Sequence, residues 1–559
     1  MAGLAPDTRL GPGPGRQKRA FHRKVRTGCQ TCKYASLLCL ITNAMLNPRE
    51  LRSYTYFLDV VAPSLSGFFD ADFWLAELPR VCHADAAIWH AVVGLGAVHE
   101  AAGGPLSSGD ASTSAFALAQ ANAAIRCLIE SSSPRRADKG RALTVSAVFA
   151  CMATLQGHHD QAAMHLRAGV NLLREVDGDD GTSPIVRSPA AKPSPPALHP
   201  LPVSLPPIRN LLLRMDMMSK ALQHGGLVGS APPSQILDNS IFRVWRSYRA
   251  PRAPSTLTPE SLLAASRAAE SLMNGVVYSS QEHGEALGAL LAGDYTAEGR
   301  EAQVALLAAA QRPHMRAYRE LRRARRLFEA ELDRPGFASP RASREQLRDA
   351  LIPLRLFMGT CRMVLMVDPE EPDARARERG FPVLCRRIMD DARRVLGIGE
   401  TRIEVGGKGP VAFTLNPTTL DAVFMVAHTA PTVALRREAA DLMRRPRLEG
   451  LWHTVMAARL SDLVLGRELE AMGAMGMDLQ GQGGEGDVDG DSGIINTDMG
   501  GLHGLVHMPM PSEQVQIPVM CRIRTIQMSF TGQRTAMVRL QTWAEWARGD
   551  SGQRRLLSW

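Results

Sequence analysis

Ala163-Met164-His165-Leu166-Arg167-Ala168-Gly169-Val170-Asn171-Leu172-Leu173 carries the pattern on which the fold class turns. Its apolar residues Ala163, Leu166, Val170 and Leu173 recur at steps of three, four and three. That spacing gathers them on one face of an α-helix, and such a face has to pack against another helix. Leu118, Ala121, Ile125 and Leu128 repeat the pattern, and Leu211, Met215, Met218 and Leu222 carry it at steps of four, three and four. Each stripe is expected to face a neighbouring helix. Strand alternation is confined to Val519, Cys521, Ile523 and Thr525, which predicts one short strand near the C-terminus and too little for a sheet. The fold class is therefore mostly α, a large irregular helix bundle or array. No fixed repeat length recurs, which argues against a solenoid of identical units.

Outward from these stripes, composition marks the boundaries. Residues 1–22 are rich in Gly, Pro and basic side chains and read as a disordered basic tail. Helical character runs over 50–176 and again over 208–472. Between them, residues 177–207 are dense in proline, including Ser194-Pro195-Pro196 and Pro206-Pro207, and read as a linker or long loop. Residues 473–514, with Gln480-Gly481-Gln482-Gly483-Gly484, are poor in apolar residues and are expected to be disordered. Residues 515–559 are expected to form a strand and a helix.

The chain has 559 residues, 45% of them hydrophobic and 22% charged, which excludes a wholly disordered chain. No apolar run reaches the ~18 residues of a spanning helix, so no membrane association is expected. No apolar signal core precedes Arg16, and nine scattered cysteines do not suggest a disulfide framework, so a reducing compartment is expected. The net charge is +9, of which the first fifty residues carry +7. The basicity thus sits in the tail. The near-neutral body gives no sign of wrapping a polyanion, whereas the tail does.

Within that tail lies Arg16-Gln17-Lys18-Arg19-Ala20-Phe21-His22-Arg23-Lys24-Val25-Arg26, followed by Thr27-Gly28-Cys29-Gln30-Thr31-Cys32-Lys33. Two thiolates two residues apart can grip one zinc ion, because the turn between them brings both sulfurs to one side. Cys39 follows Cys32 after six residues. It is either a third ligand or a small buried hydrophobe in Leu37-Leu38-Cys39-Leu40-Ile41.

Arg26 to Lys33 resembles the opening of the fungal Zn(II)2Cys6 cluster family, whose six cysteines hold two zinc ions. Cys29, Cys32 and Cys39 match the first half of that spacing. The second half is absent: the next cysteine is Cys82, and Lys33-Tyr34-Ala35-Ser36-Leu37-Leu38 lacks the family's basic run. Residues 23–46 thus read as a truncated zinc-cluster-like segment, either degenerate or missing a stretch after Lys33. The resemblance implies zinc on Cys29, Cys32 and Cys39. It also implies DNA contact through Arg23, Lys24, Arg26 and Lys33.

The body resembles the same family's helical regulatory domain at several places. Tyr54 to Trp74 carries an aromatic helix, a Ser66-Gly67-Phe68 turn and a Phe73-Trp74 pair. Ile88 to Glu100 offers small residues for close helix packing, and Asn122 to Leu128 and His165 to Leu173 match further helices. Arg436-Arg437-Glu438-Ala439 and the run from Arg444 to Trp452 match near the C-terminus. In physical terms Phe73, Trp74 and Trp452 are packing anchors. The resemblance implies a fungal nuclear transcription regulator of the RNA polymerase II type. Its partners would be DNA, a homo- or heterodimer mate and transcriptional co-regulators. The alternative is a helical protein-interaction regulator without DNA binding, acting through dimerisation or co-regulators.

Other signals are set aside. Asp487-Val488-Asp489-Gly490-Asp491 suggests a calcium loop, but Ser492 and Asp498 stand where such a loop needs Gly and Glu. His158-His159 with His165 lacks an acidic or thiol partner and is expected to be solvated or hydrogen-bonded. No nucleophile elbow, phosphate loop or dinucleotide fingerprint occurs, so no enzyme activity is expected.

Overall fold

The computed structural model describes residues 47–66, 71–102, 111–130, 136–179, 203–223, 254–282, 297–339, 342–365, 374–403, 412–414, 418–476 and 515–559. The chain divides after Asn47, and every element below lies in Pro48–Trp559.

Helix α1 (Pro48–Tyr56) passes through a π turn (Phe57–Val61) into α2 (Ala62–Ser66). A second π turn (Phe73–Glu77) leads into α3 (Leu78–Cys82). Each π turn ends one residue before an X-Pro step, Ala62-Pro63 and Leu78-Pro79. A proline has no N–H to give to the fourth residue back. The widened turn lets Ala62 and Leu78 donate instead to Phe57 and Phe73, five residues back. Asp85 then caps α4 (Ala86–Ala102), accepting from Ala87 N at 3.0 Å and Ile88 N at 3.2 Å.

Helix α4 is buried nearly all round and is the hub of the first half, which also contains α5 (Ala111–Glu130), α6 (Arg136–Leu155), α7 (His159–Asp179) and α8 (Leu205–Gln223). It packs on α1, α5 and α6. The approach to α1 is so close that a Cβ on Gly96 would collide with Ser53 O. On α7 the stripe Ala163, Leu166, Val170 and Leu173 is buried, as its period predicts. On α5 it is not: Leu118 is 63% exposed and Ile125 41%. The face that meets α4 is Ala117, Gln120 and Ala124. Two of these are alanine, Ala117 lying against Gly94 of α4, and the third, Gln120, is held inward by hydrogen bonds to His90 at 2.7 Å and Glu50 at 2.8 Å. Pro206 and Pro207 lie in the first turn of α8, where a missing N–H costs nothing.

A second core is built by α9 (Leu262–Glu282), α10 (Ala297–Leu332), α11 (Arg344–Ala350) and α12 (Ile352–Val364). Tyr318, Leu321 and Phe328 of α10 meet Ala265, Ala269 and Leu272 of α9, with Phe357 and Cys361 of α12 behind them. Then follow α13 (Ala374–Ile403), β1 (Ala412–Thr414), α14 (Thr418–Thr429), α15 (Val433–Met443), β2 (Arg447–Glu449), β3 (Trp452–His453) and α16 (Thr454–Ala474). Strand β2 pairs in parallel with β1 and antiparallel with β3. Gly450, at a φ of 59°, makes the turn between β2 and β3.

The C-terminal region differs from the sequence expectation of a single strand. Val519–Cys521 is a turn of 3-10 helix. Beyond it, β4 (Ile523–Gly532), β5 (Thr535–Thr542) and β6 (Gln553–Ser558) form a three-stranded antiparallel sheet, with α17 (Trp543–Ala547) between β5 and β6. Strand β5 buries Ala536, Val538, Leu540 and Thr542 at period two. Met537 on its solvent side is also apolar, and that blurs the alternation. The fold is otherwise mostly α, as the helical periods predict.

Candidate functional site

The candidate metal ligands Cys29, Cys32 and Cys39 and the candidate DNA contacts Arg23, Lys24, Arg26 and Lys33 lie outside the described residues. So does the acidic run from Asp487 to Asp491. The next cysteine along the chain, Cys82, is buried in α3, where burial pushes its thiol up. A thiol held protonated in an apolar core is no zinc ligand. Among the described residues no group of three or more His, Cys, Asp or Glu could hold a metal ion. Phe73, Trp74 and Trp452 are packing anchors, as expected: Phe73 and Trp74 meet edge to face at 5.0 Å, and Trp452 lies 4.9 Å from Phe424.

The described polar chemistry lies instead at joints between distant parts of the chain. Arg214 of α8 and Glu270 of α9 form a buried ion pair through two hydrogen bonds. Near it, Asp421 at the start of α14 is held well above the usual carboxylate range by burial, and further by Glu449 and Glu270. Glu449 of β2 is also raised by burial, but Arg447 at 3.2 Å and the Leu420 N–H at 2.8 Å oppose the rise. Burial disfavours a charge on both carboxyls, and the Arg447 guanidinium offsets that cost at Glu449.

A second joint centres on Arg436 of α15, which pairs with Glu468 of α16 while its Nε donates to Ala430 O at 2.9 Å. Glu468 also accepts from Ile523 N at 2.8 Å, which fixes the start of β4. The Glu468 carboxyl is raised by burial, and Arg436 opposes that rise. Its neighbour Arg467 donates to Glu545 of α17 at 2.5 Å. A third joint ties α7 to the C-terminal sheet. His159 stacks on Phe530 of β4 with centroids 4.5 Å apart, and Trp559 lies 5.6 Å away. Gln533 Nε2 donates to Gln156 O at 3.0 Å, and Arg534, at a φ of 54°, packs on Gly157.

His159 is neither solvated nor hydrogen-bonded, contrary to the sequence expectation. It is buried, with neither ring nitrogen partnered, because the sheet covers it with aromatic rings. Burial pushes its imidazole down to about 4, aided by His453, His158 and Arg534. These joints hold elements together and bring no nucleophile, base and oxyanion donor into one cleft. The sequence reading gives the side chains of Arg436 and Glu449 no role of their own. A usable signal is present at Arg436: Val433, Arg436, Ala440 and Met443 step by three, four and three, so a charge stands inside a buried stripe.

Residues 52–225 match the family model described as Fungal specific transcription factor domain, which covers α2 to α8 and the end of α1. That match supports a fungal transcription regulator. No curated protein and no solved structure matches the chain.

Proposed function

We propose that this protein is a nuclear regulator of transcription whose helical body is the regulatory part and whose basic N-terminal run contacts DNA. The reading is carried by the match over residues 52–225. It is supported by the net charge of +7 in the first fifty residues, ahead of that region. Arg23, Lys24, Arg26 and Lys33 would touch phosphates, which positions a protein on a duplex without reading its sequence. Cys29, Cys32 and Cys39 offer three thiolates beside those cations. A zinc ion held there would supply a fixed turn between the basic residues, with a fourth donor completing the site as structural zinc requires. Co-regulators or a second copy of the chain would meet the helical body.

The test is zinc content and duplex binding of the full chain, measured together. One zinc per chain, with salt-sensitive binding weakened by Cys29→Ala or Cys32→Ala, is the expected result. Absence of zinc, with duplex binding untouched by both substitutions, would sink the zinc-dependent module. A chain that binds no duplex at all would be a protein-interaction regulator.

A further inference from the structure

The near-neutral body conceals one concentrated charge. Residues 312–326 of α10 contain seven arginines and one acid, Glu320. The body beyond residue 50 carries a net charge of only +2, so the remainder of it is slightly acidic. Averaging along the chain therefore hides a feature that the helix gathers on one side.

Two faces of α10 divide the residues. Tyr318, Leu321, Ala324, Phe328 and Leu332 are buried against α9 and α12. Arg312, Arg316, Arg319, Arg323 and Arg326 step by four, three, four and three and are all exposed. At 1.5 Å per residue these five span about 21 Å along one face of the helix. Among the described residues Arg312, Arg316, Arg319 and Arg323 take part in no ion pair. The neighbouring Arg325 is turned to Glu329 at 3.0 Å and lies outside the row. Four like charges this close repel one another unless a polyanion covers them.

We infer that the exposed arginine row of α10 is a docking surface for the phosphate backbone of double-stranded nucleic acid, separate from the basic N-terminal run. Three observations favour phosphate. All the cations are guanidinium, whose planar fork matches a phosphate. The row is held on a 36-residue helix whose opposite face is packed from Tyr318 to Leu332, which suits a stiff partner. A duplex carries one phosphate per strand for every ~3.4 Å of its axis, so the roughly 21 Å of duplex facing the row carries about six phosphates on each strand, some of them within reach of the row. The choice of duplex over an acidic polypeptide rests in part on the regulatory role proposed above. Contacts of this kind carry no sequence readout. They would hold the body against DNA that another element selects.

The experiment is fluorescence anisotropy of the full chain with a mixed-sequence 30-base-pair duplex, titrated at 50 to 200 mM salt. Three chains are compared: wild type, R316Q/R319Q/R323Q on α10, and R23Q/K24Q/R26Q in the tail. Neutralising three phosphate-binding arginines makes the slope of log K against log salt shallower by about 2.7, and affinity at 100 mM salt falls at least tenfold. R316K/R319K/R323K keeps the charge and retains the wild-type slope, which separates lost charge from lost folding. An unchanged slope in the α10 glutamine variant, with binding abolished only in the tail variant, overturns this inference and leaves the N-terminal module standing. Retention of polyglutamate with no duplex binding at 50 mM salt also overturns it and assigns the row to an acidic protein partner.

Discussion

Leu166 on α7 and Leu118 on α5 belong to apolar stripes of the same three-four-three spacing, yet Leu166 is 1% exposed and Leu118 63%. The difference lies in what surrounds each helix. Helix α7 is gripped by α6 and α8, and its first residue, His159, sits under Phe530 and Trp559 of the C-terminal sheet. Helix α5 lies mainly on α4, across a contact made by Gly94 opposite Ala117 and Gln120. That contact is filled by two alanines and by Gln120, which is drawn in by its hydrogen bonds to His90 and Glu50. The larger side chains Leu118, Ile125 and Ile129 are therefore left on the far side of α5. A helical period shows that a face exists. The size of the residues on the competing face, and the number of neighbours, settle which face goes inward.

The comparison is broken most directly by truncation at the gripped helix. Leu166→Ala deletes a fully buried side chain and should cost about 3 kcal/mol, within the range of 2–5 kcal/mol for such core changes. Urea denaturation followed by circular dichroism would read this as a lower midpoint at unchanged slope. A cost under about 1 kcal/mol would mean that α7 is not the packed element described here.

His159 sharpens the same contrast by pH. Its imidazole titrates at about 4 when folded, against an ordinary value of 6.5. A lowered folded value means that the unfolded chain binds more protons between those two values, so stability falls as pH drops from 6.5 toward 4. At pH 4.5 the loss from this group is about 2.5 kcal/mol by the same linkage. His159→Phe keeps an aromatic ring against Phe530 and removes the titration. It should be close to neutral at pH 7 and more stable than wild type by about that amount at pH 4.5. Equal acid sensitivity of the two proteins would show that His159 is not the buried, unpartnered group responsible.

On α5 the inward face tests the size argument. Ala124→Leu puts a branched side chain into the close α4–α5 contact and should cost about 2 kcal/mol, as overpacking commonly does. Thermal melting that shows no loss would mean that the helices separate easily, and that close approach does not set the face.

Much of the fold is legible in the residues, and what is not has physical reasons. The stripes of α7 and α8 announce their helices because one face of each is clearly larger and more apolar. The β4–β5–β6 sheet is hidden because Met537 on its solvent side is as apolar as Val538 on its inner side. The buried ion pairs are hidden differently. Arg436 and Glu468 are thirty-two residues apart, and no local pattern joins them. The arginine row of α10 could be written down from its spacing, but its exposure depends on Tyr318 and Phe328 taking the opposite face. The candidate zinc and DNA residues are legible from the Cys29–Cys32 spacing and the basic run, and more fully through resemblance, and they lie outside the described residues.

The outer stripe of α5 gives the smallest expected effect and the sharpest control. Leu118 keeps 63% of its surface exposed and Ile125 41%, so removing each sacrifices less burial than removing a fully buried leucine. Serine has a slightly poorer helix propensity than leucine, a cost of a few tenths of a kcal/mol per site. L118S/I125S should therefore change unfolding free energy by no more than about 1 kcal/mol in all, well short of the 3 kcal/mol at Leu166. The pair is measured at two protein concentrations tenfold apart. A loss comparable to that of Leu166→Ala, growing with concentration, would mean that the stripe is buried between copies of the chain. The difference between α5 and α7 would then be one of partner, since a face left bare by close packing on α4 would be covered from outside.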